Sequence, residues 1–463
     1  MKAPPSQTGS MVSIDPSTGE TRAEFAAHDA GELSRRIDRA RLAFERWGSL
    51  SITARSETLR SVARRMRERR DALAAGITSE MGKPITQAEA EVEKCAWACE
   101  HFADHAASYL ADDPVATDAA RSFTRCEPLG VVLAIMPWNF PLWQLFRCAA
   151  PALMAGNTIV LKHASNVPGC ALAIEALFEP EEPKGLVTTL LAPSGAVAPL
   201  IEDPRIAAIS LTGSEAAGRE VAATAGRALK KCVLELGGSD PFIVIDDVDP
   251  VATAARAAAA RVQNSGQSCI AAKRFIVLDR VASSFERALV ERMRSLRVGD
   301  PRDHATEVGP LARADLLDSL HAQVARSLEQ GARLALGGAP LERRGWYYAP
   351  TVLTDARPGM TAFDEETFGP VAAVIRARDE GEAIGLANQS RFGLGASLWT
   401  SDPARGERLA ARIEAGAVFV TGMVRSDPRI PFGGIKSSGW GRELGREGAR
   451  EFVNLKTVWI EKT

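Results

Sequence analysis

Nowhere does the chain hold a run approaching the ~20 apolar residues that a membrane span needs. Its first residues, Met1 to Ser10, are polar and proline-bearing and lack the apolar core of a signal peptide. Cysteine is scarce and odd in number. Cys95, Cys99, Cys126, Cys148, Cys170, Cys232 and Cys269 are scattered, which argues against a disulfide framework and for a reducing compartment. A cytoplasmic protein is expected. An excess of either charge is missing too: Lys+Arg 56 stand against Asp+Glu 58, so nothing points to nucleic acid. The local run Arg64-Arg65-Met66-Arg67-Glu68-Arg69-Arg70 has Leu59, Val62, Met66 and Leu73 nearby at helical spacing and reads as the solvated face of an amphipathic helix. His101 and His105 stand one turn apart, but no Glu follows His101, so the metalloprotease pattern fails. Together with Cys95 and Cys99 they read as helix positions, and no metal is expected.

What is present is globular. With 463 residues, 46% hydrophobic and 25% charged, two or three domains are expected. Residues 1–30 form an irregular or β-containing lead-in around the turn Asp15-Pro16-Ser17-Thr18-Gly19. From Glu32 to about Tyr109 the pattern is helical, with a stop near Met81-Gly82-Lys83-Pro84. Short apolar runs then alternate with helices: Val131 to Met136, Thr158 to Lys162, Val187 to Leu191, Ile206 to Leu211, Cys232 to Leu236 and Pro241 to Ile245. That alternation predicts a parallel sheet covered by helices. A second set follows, with strands at Arg274 to Leu278, Arg333 to Leu336, Val371 to Ile375 and Val418 to Thr421. Val453 to Ile460 alternates like a strand without a neighbour in sequence, which suits pairing with another chain.

One cysteine stands apart from the other six. Gln263-Asn264-Ser265-Gly266-Gln267-Ser268-Cys269-Ile270 is a small polar loop between an alanine-rich helix and a strand. A thiol on such a turn is expected to have little side-chain cover, to ionise and to meet a ligand; a free cysteine also commonly just fills space. Pro137-Trp138-Asn139-Phe140-Pro141 lies just past the end of the first strong strand, the edge where open α/β sheets bind ligands. Asn139 offers an amide N–H for an oxyanion, although asparagine is also an ordinary turn former. Lys162 ends another strand. Leu211 to Gly218 passes from strand to helix through a glycine, whose N–H groups can hold a pyrophosphate, but it lacks the Gly-x-Gly-x-x-Gly fingerprint. Leu234-Glu235-Leu236-Gly237-Gly238 puts a carboxylate among apolar residues, which raises its pKa toward that of a general base. A buried, hydrogen-bonded structural glutamate is the alternative. Glu365 to Pro370 and Pro431-Phe432-Gly433-Gly434 complete the set.

In this order, these segments resemble the aldehyde dehydrogenase superfamily over nearly the whole length, and within it the bacterial succinate-semialdehyde dehydrogenases. The resemblance is carried by Ile135 to Trp143, Leu161 to Ala164 and Lys230 to Phe242. It implies an α/β fold: a Rossmann-type cofactor domain (1–115 and 128–236), an α/β catalytic domain (237–438) and a small β oligomerisation arm (116–127 and 439–463). It implies Cys269 as nucleophile and Asn139, with the Cys269 backbone N–H, as oxyanion donors. After hydride has left for the nicotinamide, Glu235 is implied to activate the water that hydrolyses the thioester. Trp138, Lys162, Ser165, Gly213, Ser214, Gly218, Glu366 and Phe368 are implied to hold the cofactor. Ser165 stands where many NAD-preferring relatives carry Glu. A carboxylate repels a 2′-phosphate and a hydroxyl donates to it, so NADP is expected first, with NAD possible.

Trp143, Arg147, Ser268, Ser426 and Phe432 are the expected substrate residues. Arg147 is the only charged residue between Trp138 and Leu161, and an isolated guanidinium is costly unless an anion meets it. The anion is either the distal carboxylate of succinic semialdehyde or an acid from elsewhere in the fold. The expected reaction is NAD(P)-dependent oxidation of succinic semialdehyde to succinate. Alternatives are glutaric semialdehyde, an uncharged aldehyde, acyl transfer to coenzyme A, and a non-catalytic relative. Glu235 argues against coenzyme A, because thiol transfer needs no base there. A homodimer or homotetramer is expected, acting on a small-molecule aldehyde, with neither nucleic acid nor membrane as partner.

Overall fold

Local signals divide the N-terminal helical region more finely than the predicted stop at Gly82. Asp29 and Ser51 accept from the N–H groups of Glu32 and Ala54 and so start the helices Ala30–Trp47 and Ile52–Glu68. Arg70–Met81 follows and ends on Gly82, whose φ of 76° is the left-handed cap that glycine adopts without cost. Pro84 then precedes the long helix Ile85–Tyr109. The computed structural model describes residues 9–463, so the first eight residues of the predicted lead-in lie outside the described residues. The rest of that lead-in is an antiparallel hairpin, Ser10–Asp15 with Glu20–Ala26.

The first large sheet has six strands, in the order Gly439–Trp440, Lys231–Glu235, Ile206–Thr212, Val131–Met136, Thr158–His163, Val187–Thr189. All neighbours are parallel except the first pair. Every residue of Val131–Met136 and of Thr158–His163 is buried, which is why these strands read as continuous apolar runs. From Val131–Met136 the chain builds outward on one side, then returns to build on the other. A crevice opens at such a reversal, beyond the carboxyl ends of the strands. The loops at Pro137 and Gly213 start there.

The second sheet orders seven strands: Arg333–Leu336, Thr351–Thr354, Val371–Ala377, Arg274–Leu278, Pro241–Val244, Gly395–Trp399, Ala417–Val420. Two of them escape the sequence pattern. Thr351–Thr354 has only two apolar residues, Val352 and Leu353, set between threonines, so no apolar run marks it. Gly395–Trp399 opens on Gly, Ala and Ser, none of which favours a strand, and holds its place through burial between neighbours. The terminal strand Val453–Ile460 pairs antiparallel with Arg121–Pro128 of this same chain, so it has a partner within the chain on one edge. Its other edge is unpaired among the described residues, and Leu455, Trp459 and Ile460 are exposed on this strand.

Candidate active site

The cysteine loop is a strained turn held from all sides. After the helix Pro250–Val262, residues Asn264, Ser265 and Gly266 take left-handed φ values of 52°, 55° and 79°. Such angles persist in non-glycine residues only when the surroundings over-determine them. Here the Asn264 side-chain amide donates to the carbonyls of Asn139 and Gln267 at 2.8 and 3.0 Å. Ser265 Oγ accepts from the Gly309 N–H, and Gln267 Oε1 accepts from the Ala312 N–H. A Cβ on Gly266 would lie 2.2 Å from the Gly369 carbonyl oxygen, so only glycine fits. Two buried cations finish the clamp. Arg261 donates to the Gly266 carbonyl at 2.6 Å, and Lys273 donates to the carbonyls of Ser268, Cys269 and Ala271 at 2.9–3.0 Å.

The predicted lack of cover is therefore wrong. Cys269 is half-buried, and burial pushes its thiol up to about 12, against the pull of the Arg147 and Lys273 charges. An open turn would leave it near its ordinary value. Lys273 and Arg261 went unnoticed in the sequence, although Lys273 follows the apolar Ile270-Ala271-Ala272 and leads into a fully buried strand. Replacing Lys273 by methionine strands several buried carbonyls. The variant is expected to lose roughly 2–5 kcal/mol of stability in urea unfolding, together with most activity. An unchanged unfolding midpoint would remove the clamp from the account.

A cleft of about 190 Å³ brings the two sheets' loops together at the thiol. Of the expected residues it gathers Trp138, Asn139, Gly213, Ser214, Cys269, Glu366 and Phe368, and it adds Gln144 and Thr212. Asn139 is fixed by two contacts: its amide donates to the Gln267 carbonyl at 3.1 Å and its oxygen accepts from Gln144 at 3.4 Å. One of its N–H groups stays uncommitted. Trp138 and Phe368 meet edge to face, with ring centroids 5.8 Å apart. Glu366 accepts from the Gly238 N–H at 3.0 Å and lies 3.5 Å from the Lys273 ammonium. Gly238 is required where it stands, since a Cβ there would sit 2.8 Å from the Cys269 carbonyl.

Glu235 ends its strand almost fully buried, and neither carboxylate oxygen has a partner among the described residues. Burial pushes its carboxyl well above the usual range; Arg147 opposes this and Glu443 reinforces it. This carboxylate forms no part of a structural hydrogen-bond network, as its alternative reading requires.

The cofactor candidates divide in two. Ser214 caps the helix Glu215–Arg227 by accepting from the Ala217 N–H at 3.3 Å, with Gly213 just before it. A Cβ on Gly218 would lie 2.5 Å from a Leu236 methyl, so this glycine lets the helix lie flush on the strand end. Gly218 lines an adjoining groove rather than the thiol cleft. Lys162 is buried, no acceptor among the described residues reaches its ammonium, and burial lowers its pKa. Ser165, three residues on, is exposed. An unmatched cation, an open hydroxyl and a helix start form a donor set that fits a phosphate-bearing dinucleotide.

Arg147 requires a correction. It is only 2% exposed, its guanidinium pairs with Glu443, it donates to Thr212 Oγ1 at 3.2 Å, and it lies 4.5 Å over the Phe432 ring. The anion that its isolation demanded comes from the fold itself. Its reach into the site is electrostatic, since its charge favours the ionised forms of Cys269 and Glu235. Trp143 donates its indole N–H to Ser426 Oγ at 2.9 Å, and Ser268 is buried with its hydroxyl unpartnered among the described residues. With Phe432 beneath Arg147, none of these five residues is among those lining the 190 Å³ cleft.

Comparison with known proteins agrees with this geometry. The aldehyde dehydrogenase family profile matches residues 3–458. A probable NADP(+) succinate-semialdehyde dehydrogenase of Synechocystis sp. is 52% identical, covering 97% of this chain and 99% of its own. The Escherichia coli succinate semialdehyde dehydrogenase [NAD(P)+] Sad is 47% identical, covering 97% and 98%. Among solved structures, succinic semialdehyde dehydrogenase from Streptococcus pyogenes in complex with NADP+ superposes with a TM-score of 0.95 at 36% identity, covering 98% and 100%. Fold, cleft and relatives converge: this chain belongs to the aldehyde dehydrogenase family.

Proposed function

We propose that the protein oxidises succinic semialdehyde to succinate, with NADP as preferred cofactor and NAD as a usable substitute. The observation that supports the reaction type is a thiol and an oriented amide N–H on one cleft, with the buried, partnerless carboxylate of Glu235 preceding the cleft residue Leu236 and acting electrostatically on the thiol. The substrate is supported by the succinate-semialdehyde dehydrogenases that share about half of this sequence over their whole length. Cys269 attacks the aldehyde carbon, while Asn139 and the Cys269 N–H receive the oxyanion. When bound, the nicotinamide accepts the hydride that leaves the resulting thiohemiacetal. Glu235 then takes a proton from water, whose oxygen attacks the thioester on Cys269; the acid departs and the thiol is regenerated.

Trp138, Glu366 and Phe368 are assigned to the nicotinamide end, Gly213, Ser214 and Gly218 to the pyrophosphate, and Lys162 with Ser165 to the adenosine ribose and its 2′-phosphate. Ser165→Glu sets a carboxylate beside that phosphate and is expected to weaken NADP binding at least tenfold while sparing NAD, as read by kcat/KM for each. A wild-type enzyme that already favours NAD strongly would contradict the assignment before any variant is made.

The reading extends to a cytoplasmic homodimer or homotetramer. The terminal sheet offers a strand edge unpaired among the described residues, with exposed apolar side chains, the kind of surface that monomers avoid. The division into cofactor (1–115, 128–236), catalytic (237–438) and arm (116–127, 439–463) segments is proposed with it. The test is a kinetic panel of succinic semialdehyde, glutaric semialdehyde and butanal against NAD and NADP, with and without coenzyme A. Succinic semialdehyde with NADP is expected to give the highest kcat/KM and to need no coenzyme A. Dependence on coenzyme A would overturn the hydrolytic reading.

A further inference from the structure

Beside Trp143 and Ser426 stands a cation that no anion among the described residues meets. Lys94, in the helix Ile85–Tyr109, is half-buried, with its ammonium 4.1 Å from the centre of the Trp143 ring and donating to Ser426 Oγ at 2.8 Å. No carboxylate among the described residues pairs with it, and the acids around it are committed. Glu91 Oε1 accepts from the N–H groups of Leu142 and Trp143 at 2.9 and 3.0 Å, and its other oxygen pairs with Lys83. Asp427 receives two hydrogen bonds from the Arg429 guanidinium, and Glu93 pairs with Arg67.

Ser426 sharpens the picture. Its oxygen accepts from both Lys94 and the Trp143 indole, so both lone pairs are filled, and its own O–H has no acceptor among the described residues. The ammonium keeps two further N–H groups. The site is thus a cluster of donors with nothing to accept from them, which is the complement of a carboxylate. It adjoins the reacting centre: Trp143 opens the helix that follows the Asn139 loop and shares one apolar cluster with Phe432, Ile270 and Cys269. The charge of Arg147, one turn along that helix, is felt by both Lys94 and the Cys269 thiol.

We propose that Lys94, with the hydroxyl of Ser426, holds the distal carboxylate of the substrate and so selects ω-carboxy aldehydes. The proposal rests on the aldehyde dehydrogenase reading above and supplies the carboxylate anchor that Arg147, spent on Glu443, does not provide. A second observable follows from the site's electrostatics. Burial brings the Lys94 ammonium down to about 8, with Arg147 lowering it further and Cys95, Glu91 and Asp427 raising it. The cation is present below that pH and fades above it, while the substrate carboxylate stays charged throughout.

The test measures kcat/KM for succinic semialdehyde and for butanal in the wild type, Lys94→Met and Lys94→Arg. The ratio of the two is expected to fall roughly 10²-fold in Lys94→Met, mainly through KM, and to recover in large part in Lys94→Arg. In the wild type alone, which needs no variant to fold, the same ratio is expected to decline as pH rises through about 8. Taking the ratio cancels the ionisation of Cys269 and Glu235, which both substrates share. A ratio that Lys94→Met leaves intact, or one flat with pH, overturns the anchor alone. A wild type that oxidises neither aldehyde overturns the functional reading beneath it.

Discussion

Cys269→Ala is expected to abolish aldehyde oxidation, a loss on the order of 10⁵-fold or more in kcat, while NADP binding stays near the wild-type level. No other thiol can take its place. Cys95, Cys99, Cys148 and Cys170 are buried in helices, and Cys126 and Cys232 lie in strands away from the cleft. The cofactor donors are independent of the substitution, because Lys162 lies in a strand of the other sheet and Gly213 and Ser214 on the loop that follows another of its strands. The thiol's high pKa makes the point sharper: at neutral pH it is a poor nucleophile by itself, and it depends on the Arg147 and Lys273 charges and on a reactive carbonyl held against it. Steady-state kinetics and a fluorescence titration with NADP check both halves. Wild-type kcat in the alanine variant would end the assignment.

Glu235→Gln separates the two chemical steps. The amide keeps the size of the side chain but cannot take a proton from water, so deacylation is expected to slow by about 10²–10⁴-fold while acylation continues. Mixed with succinic semialdehyde and NADP, the variant is expected to release about one reduced cofactor per site and then stall. Mass spectrometry should then find one succinyl group on Cys269. The wild type carries its own signature of the same base: its carboxyl titrates above the usual range, so deacylation is lost as pH falls through that raised value. Full turnover by the variant with no trapped acyl group would assign the water-activating role elsewhere.

The parts of this site that were legible in sequence are those in which one local signal does the work. Strands buried on both faces read as apolar runs, so the ends carrying Asn139, Lys162 and Glu235 fell where expected. Glycines 218 and 238 mark close approaches that any side chain would obstruct. What stayed hidden depends on partners far apart in the chain. The loop before Cys269 is held by Gly309, Ala312 and Gly369, all distant in sequence, and by Lys273, which is close in sequence but is set against three carbonyls only by the folded turn. Arg147 looked unmet because Glu443 lies at the other end of the sequence. Lys94 looked like one more charge on a long helix, and only the folded chain sets it against Trp143 and Ser426 without an anion.

The most direct measurement is the product balance of the purified wild-type enzyme supplied with succinic semialdehyde and NADP alone. The account predicts one succinate formed for each reduced cofactor, with no thiol acceptor added and no reaction once Cys269 has been alkylated. Absence of reduced cofactor from folded protein, or turnover that survives alkylation of Cys269, would contradict it.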